Sequence, residues 1–323
     1  MDEKWLSERT FDHRDFADLE LLAKKKADLG LSVSVCLPTL NVAATLGPIL
    51  DICRTLKADG LIDQLAVIDS SSTDDTILVA RAAGADVFLD RDILPGLAPA
   101  GGKGEALWKS LSVLTGDIII WIDSDIANFH PRFVYGLLGP LLDDPEIGYV
   151  KAFYRRPLVT AAGGRQENEG GRVTEICARP LLNLFWPPLS SLVQPLSGES
   201  AARREVLESV PFFTDYAVEI GLLVHVLRQF GLSTIAQVDL EERVHTNQPL
   251  RKLGRMSFAI LQAVFKLLGD EGLAMDIRSS DTRETFNLVG GEFVPASERI
   301  LVIERPPFRS LDPADKGGFM EKV

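Results

Sequence analysis

An α/β fold, built on a mostly parallel, doubly wound sheet flanked by helices, is what this 323-residue sequence predicts. Three observations carry that expectation. Apolar runs of strand length alternate with helix-period segments, the links between them are short, and the most apolar run ends on two carboxylates. That run is Ile118-Ile119-Ile120-Trp121-Ile122, and Asp123 and Asp125 follow it. Five apolar residues in a row suit a strand covered on both faces. Unpaired charge is not tolerated inside such a sheet, so the acids mark its carboxyl edge, where open α/β sheets bind ligands. Period two puts both on one side of the strand, able to address one divalent cation or one nucleotide diphosphate. Read alone, the pair is a capped turn ahead of a helix at Pro131.

The elements follow in order. Residues 15–29 read as an amphipathic helix stopped by Gly30, and 31–37 as a strand. The loop Pro38-Thr39-Leu40-Asn41 leads to a helix at 43–58, a strand at 64–69, a polar turn at 70–73 and a helix at 74–83. A strand at 86–89 precedes a Gly/Pro-rich loop at 94–104, a helix at 105–114 and the strand that bears the acids. Beyond it come a helix at 133–142, a strand at 148–153, and a glycine-bearing loop at 157–171 that is the flexible candidate of the middle chain. Helical patterns return at 173–185, 217–230 and 253–268, with a strand at 234–244 ending in His245. After residue 276 the pattern is poor, and a C-terminal arm packing on a partner subunit is expected.

Composition narrows the function. An apolar fraction of 46% and a charged fraction of 25% are ordinary for a soluble enzyme. No stretch approaches the roughly 20 apolar residues of a membrane span, and residues 1–10 lack an apolar signal core. A net charge of −12 disfavours nucleic acid and anionic membranes as partners. Lys24, Lys25 and Lys26 read as a solvated helix face. Cys36, Cys53 and Cys177 show no C-x-x-C spacing, which suggests reduced core thiols of a cytoplasmic protein.

Several polar clusters sit at strand ends. The turn Asp69-Ser70-Ser71-Ser72-Thr73-Asp74 offers a helix cap in Thr73 or Asp74 and leaves Asp69 and Ser70 for a base or ribose. Gly101-Gly102-Lys103-Gly104 is neither a Walker A site nor a dinucleotide fingerprint. It is a lysine on a glycine loop at a helix start, a place that favours an anion.

Together with Asp123-Ser124-Asp125, these segments resemble GT-A glycosyltransferases, and the order of motifs is similar to that of the glucosyl- and mannosyl-3-phosphoglycerate synthases. The likeness runs over about residues 31–268, through Tyr154-Arg155-Arg156-Pro157, Gly170-Gly171-Arg172-Val173-Thr174, Gln194-Pro195-Leu196-Ser197-Gly198-Glu199, Val218-Glu219-Ile220 and Val244-His245-Thr246-Asn247. The resemblance implies a retaining transfer of hexose from a nucleotide sugar to 3-phospho-D-glycerate. It implies Asp125 and His245 as ligands of Mg²⁺ or Mn²⁺, and Asp125, Glu219 and Arg243 as the catalytic group. Pro38, Thr39, Leu40, Asp69, Ser70, Lys103, Asp123, Ser124 and Leu196 would bind the nucleotide sugar, and Gly171, Arg172, Thr174 and Asn247 the acceptor. The implied layout is an N-terminal helix at 1–30, a nucleotide-sugar half at 31–150, an acceptor half of the same domain at 151–270 and an arm at 271–323, in a homodimer. The chain departs from its glucosyl relatives at Val42, where they carry Glu. That loss loosens uridine selection and leaves UDP or GDP, and glucose or mannose, open. A family-2-like transferase with another acceptor and a sugar-1-phosphate nucleotidyltransferase are the alternatives.

Overall fold

The computed structural model describes residues 2–98, 100–159, 165–166, 171–244, 248–273, 281–289 and 292–312. The chain opens with α1 (Glu3–Arg9), β1 (Thr10–Asp12) and α2 (Leu19–Asp28). Alternation then sets in: β2 (Val33–Thr39), α3 (Ala43–Ala58), β3 (Gln64–Asp69), α4 (Thr76–Ala82), β4 (Asp86–Leu89), α5 (Lys103–Ser110), β5 (Ile118–Trp121), α6 (Arg132–Asp143) and β6 (Tyr149–Arg155). A two-residue hairpin follows, β7 (Leu158–Val159) with β8 (Arg165–Gln166), then a π-helical turn (Thr174–Ala178) running into α7 (Arg179–Phe185). The second half holds β9 (Ser200–Arg203), α8 (Arg204–Ser209), β10 (Phe212–Phe213), α9 (Val218–Phe230), β11 (Ile235–Glu242) and α10 (Leu250–Asp270). A hairpin, β12 (Thr282–Val289) and β13 (Glu292–Arg299), and a short β14 (Glu304–Arg305) complete it.

Eight strands form one sheet in the order β1-β11-β6-β9-β5-β2-β3-β4, parallel except for β9. The strand order reverses between β2 and β5, the position at which open α/β sheets leave a ligand crevice outside their carboxyl ends. Side-chain alternation divides the core between the two faces. Val35, Leu37, Val67, Ile118, Ile120 and Val150 pack under α3, α4 and α6. Cys36, Ile68, Ile119, Trp121 and Tyr149 face α5, α9 and α10. The apolar run of β5 is thus buried on both sides, as its composition requires.

The structure corrects the sequence reading in three places. The N-terminal region is more than a helix: β1 pairs in parallel with β11 through Thr10↔Gln237 and forms one edge of the sheet. The antiparallel β9 was not foreseen, because Ser-Ala-Ala-Arg carries neither periodicity nor β-branched residues. Along 300–311 the C-terminal region packs on this chain's own core. Ile300 and Phe308 are buried in this chain's own structure, and β14 pairs with β10. Arg305 donates from Nε to Glu105 Oε2 (2.9 Å) and from Nη2 to Glu105 Oε1 (2.8 Å), and Trp108 Nε1 donates to Pro306 O (3.0 Å). Glu304 lies 3.0 Å from His225 Nε2 and 2.9 Å from Lys266 Nζ. One short strand therefore ties α5, β10, α9 and α10 together. Most of the loop at 157–171 lies outside the described residues.

Candidate active site

A cavity of about 620 Å³ opens at the carboxyl ends of β2, β3 and β5. Its wall on the β2 side is Pro38, Thr39, Leu40, Val42 and Ser70. Ser124 closes this wall by donating from Oγ to Pro38 O (2.8 Å). Across the floor stand Lys103, Asp123, Asp125, Glu219 and Arg243; Gly171, Arg172, Thr174 and Leu196 line the far side. The fold thus brings fourteen of the seventeen expected site residues around one space.

Asp69 is the exception among the described residues. It is fully buried and does not line the cavity. Its Oδ2 accepts from Thr39 Oγ1 (2.9 Å) and Ser72 Oγ (2.6 Å), and Oδ1 accepts from Ser72 N–H (2.8 Å). Asp69 therefore shapes the turn after β3, where both its oxygens are taken up. His245 and Asn247 lie outside the described residues.

The floor is an interleaved charge array. Lys103 Nζ donates to Asp123 Oδ1 (2.5 Å) and lies 2.9 Å from Glu219 Oε1. Arg243 Nη2 donates to Asp125 Oδ1 (2.6 Å) and Asp123 Oδ2 (3.1 Å), and its Nε is 3.2 Å from Glu199 Oε1. Tyr154 Oη donates to the other oxygen of Glu199 (2.5 Å). Burial alone raises the Asp123 pKa, but Lys103 and then Arg243 outweigh it and hold the carboxyl well below the usual range. At Glu199 burial wins over Arg243, and the pKa is raised. The two acids are pushed apart, Asp123 fixed as an anion and Glu199 biased toward the proton.

Backbone contacts make this array tight. Gly198 has no room for a side chain, since a Cβ there would lie 1.9 Å from Asp123 Oδ2. Gly102 adopts φ +83° at the start of α5, which a side chain rarely tolerates, and this brings Lys103 inward. A Cβ at Gly104 would come within 2.1 Å of Phe213 O.

The sequence reading left three contributors without a role. Glu199 was quoted only within its motif. Asp215, left-handed at φ +57°, is clamped by Arg255 at 3.1 and 2.7 Å beside Gly102. Lys151 sits in β6, 1% exposed, with Nζ donating to Ser197 O. The discernible signal was a lone lysine inside an apolar strand. Burial pushes the Lys151 pKa down from 10.5 to about 8. Between those values the folded state holds fewer protons than the unfolded one, so this group makes stability rise with pH. The gap in thermal midpoint between wild type and Lys151→Met should shift in favour of wild type from about pH 7 to about pH 10. Scanning calorimetry across that range checks it, and a constant gap would refute the assignment.

The metal expected from the sequence is consistent with the described donor. Asp125 is the exposed acid of the floor, its side chain 42% accessible, and its Oδ2 has no partner among the described residues. A carboxylate oxygen is the ligand that Mg²⁺ and Mn²⁺ prefer.

Residues 34–210 match the glycosyl transferase family 2 model. The glucosyl-3-phosphoglycerate synthase of Petrotoga mobilis is 48% identical over 306 residues, covering 94% of this chain and 94% of that protein. The chain belongs to glycosyl transferase family 2, in the glucosyl- and mannosyl-3-phosphoglycerate synthase family. Solved structures of the family superpose closely. The mannosyl-3-phosphoglycerate synthase of Rubrobacter xylanophilus gives a TM-score of 0.87 at 40% identity, over 95% of this chain and 99% of that one. The glucosyl-3-phosphoglycerate synthase of Mycobacterium tuberculosis, solved with Mn²⁺, uridine diphosphate and glucosyl-3-phosphoglycerate, gives 0.81 at 42% identity, over 93% and 98%. The GT-A fold inferred from the motifs is therefore the fold of this glycosyltransferase, and the nucleotidyltransferase alternative has no support. No helix among the described residues is long and apolar enough to cross a membrane.

Proposed function

We propose that the protein transfers glucose or mannose from a UDP- or GDP-hexose to the 2-hydroxyl of 3-phospho-D-glycerate, with retention of anomeric configuration. The observation that carries the reading is the single cavity in which the paired acids meet Lys103, Glu219 and Arg243 on one side and Arg172 on the other. The bond from the anomeric carbon to the diphosphate breaks, the bond to the acceptor oxygen forms on the same face, and the hydroxyl proton passes to the departing diphosphate. Lys103 and Arg243 place positive charge beside the leaving group. Glu219, held by Lys103, lies at the sugar end. A divalent cation held by Asp125 and His245 would supply Lewis-acid stabilisation of the diphosphate.

Arg172 is suited to the acceptor. It follows Gly171 (φ +73°) at the entry to the π-helical turn, and its Nη2 donates only to the neutral Gln248 O (2.8 Å) among the described residues. A guanidinium with no acid partner there favours a carboxylate or phosphate. Thr174, buried at the cavity wall, stands two residues on. The reading assigns residues 31–150 to the donor and 151–270 to the acceptor. It includes a cytoplasmic homodimer, for which exposed Ile176, Leu184 and Leu250 offer apolar surface; light scattering checks the mass.

The deciding experiment offers UDP-glucose, GDP-glucose and GDP-mannose with 3-phosphoglycerate and Mg²⁺ or Mn²⁺, following diphosphate release. Val42 forms an apolar stretch of the nucleotide wall. An apolar wall discriminates weakly, so turnover with GDP-sugars as well as UDP-glucose is expected. Arg172→Ala should raise the KM for 3-phosphoglycerate about tenfold or more, a charge-assisted contact of roughly 1.5–3 kcal/mol, with donor affinity unchanged. Absence of transfer with every donor would overturn the function, and an equal loss of donor affinity would move Arg172 out of the acceptor site.

A further inference from the structure

β11 ends at Glu242, yet the chain beyond it stays held on both sides. Arg243 N–H donates to Arg155 O (3.0 Å), prolonging the pairing with β6. The loop that follows the paired acids supplies the remaining partners. Ala127 N–H donates to Val244 O (2.9 Å). The Asn128 side chain then spans Arg243: Nδ2 donates to Glu242 O (3.0 Å), and Oδ1 accepts from Val244 N–H (2.7 Å). One carboxamide thus satisfies the carbonyl before Arg243 and the N–H after it, as a neighbouring strand would. Arg132, from α6, secures the same stretch by donating to Leu240 O (2.7 Å) and Glu242 O (3.2 Å).

We infer that Asn128 is a positioning residue for Arg243 and the donor diphosphate site. The argument is geometric. Asp123 and Asp125 are fixed to the end of β5, whereas Arg243 belongs to the other side of the sheet, beyond β9 and β6. Two acids and a guanidinium from separate strands keep hydrogen-bond distance only if their backbones are tied. Asn128, three residues after Asp125, supplies two bonds of that tie beside the Ala127 N–H to Val244 O bond, and among the described residues it is the one side chain of the loop that spans Arg243; the residue after Val244 is His245. Asn128 acts through Arg243 and its neighbours, with no contact to substrate required. The inference rests on the assignment of Asp125 and Arg243 to the donor site.

Asn128→Ala removes both bonds. Asn128→Asp keeps an acceptor for Val244 N–H but loses the donor to Glu242 O. With circular dichroism as the check on folding, kcat, the KM for 3-phosphoglycerate and the calorimetric affinity for UDP with Mn²⁺ are measured on the full chain. The expected result is a fall in kcat and in UDP–Mn²⁺ affinity of about tenfold or more, the size seen when groups that orient metal ligands are lost. The KM for 3-phosphoglycerate should stay within about twofold, because a tie acting on the donor side leaves acceptor binding intact. Wild-type kcat and UDP affinity in either folded variant overturn the inference, as does an equal loss for donor and acceptor; if Asn128→Ala fails to fold, Asn128→Asp decides. Asp125→Ala is run alongside. An active Asp125→Ala overturns the donor-site assignment and Asn128's role with it. An inactive Asp125→Ala beside a wild-type-like Asn128→Ala overturns Asn128's role alone.

Discussion

Asp125→Ala should cut kcat by about a hundredfold or more while leaving the fold and thermal midpoint close to wild type, because the cation proposed to be held here would supply several kcal/mol of charge stabilisation to the leaving diphosphate. Its structural cost is small: the side chain is 42% exposed, and its one side-chain bond among the described residues is to Arg243, which keeps Asp123 and Glu199. Excess EDTA should reproduce the loss in the wild type, and added Mn²⁺ or Mg²⁺ should restore turnover. His245→Ala should behave like Asp125→Ala if both hold the cation. Full activity of the wild type in EDTA would end the metal assignment.

Arg243→Met should be damaging in a different way, lowering both activity and stability. Arg243 is 3% exposed and stands between Asp123, Asp125 and Glu199. Removing one partner of a buried ion pair costs about 3–5 kcal/mol, since the remaining charges are left uncompensated. The pH dependence has a defined sign. In the wild type the Asp123 pKa is depressed, so the stability it contributes is present above the ordinary carboxylate value and is lost as pH falls through the folded value. Without Arg243 that depression shrinks, and Glu199, already raised by burial, moves further up. The midpoint gap between wild type and variant should therefore be largest near neutral pH and narrow toward about pH 4. Calorimetry at the two pH values checks it. Arg243→Lys should recover part of the stability but little of the rate, since an ammonium cannot reach several acids through a planar fork. A gap that widened on acidification would show that Arg243 does not hold Glu199 and Asp123 toward their ionised forms.

How far the sequence disclosed this arrangement depended on range. The apolar run into Asp123 and Asp125 was legible because burial on both faces leaves a local mark, and the Gly102–Lys103 turn was legible because a helix start and a missing side chain are local too. The burial of Asp69 away from the cavity was not legible because nothing in the turn reveals that Thr39, thirty residues earlier, takes up its oxygen. Glu199 and Lys151 were not given roles because their meaning lies in partners from other strands: Arg243 for one, the Ser197 carbonyl for the other. The pair Glu105–Arg305 spans 200 positions, and neither residue carries a pattern that names the other.

That last pairing also orders events in time. Lys103, Glu219 and Arg255 lie on or beside elements that β14 fastens, and β14 is made after all of them. At ribosomal rates of about 5–20 residues per second, the 200 residues between Glu105 and Arg305 take about 10–40 s to synthesise. During that interval the nascent chain can form β2, β3 and β5, but Glu105 has only Lys109 (3.6 Å) beside it and lacks the bidentate guanidinium of Arg305. The fastening of α5, α9 and α10 behind the floor is thus completed late in synthesis, and a chain interrupted between β11 and residue 304 has the strands of the sheet without that fastening.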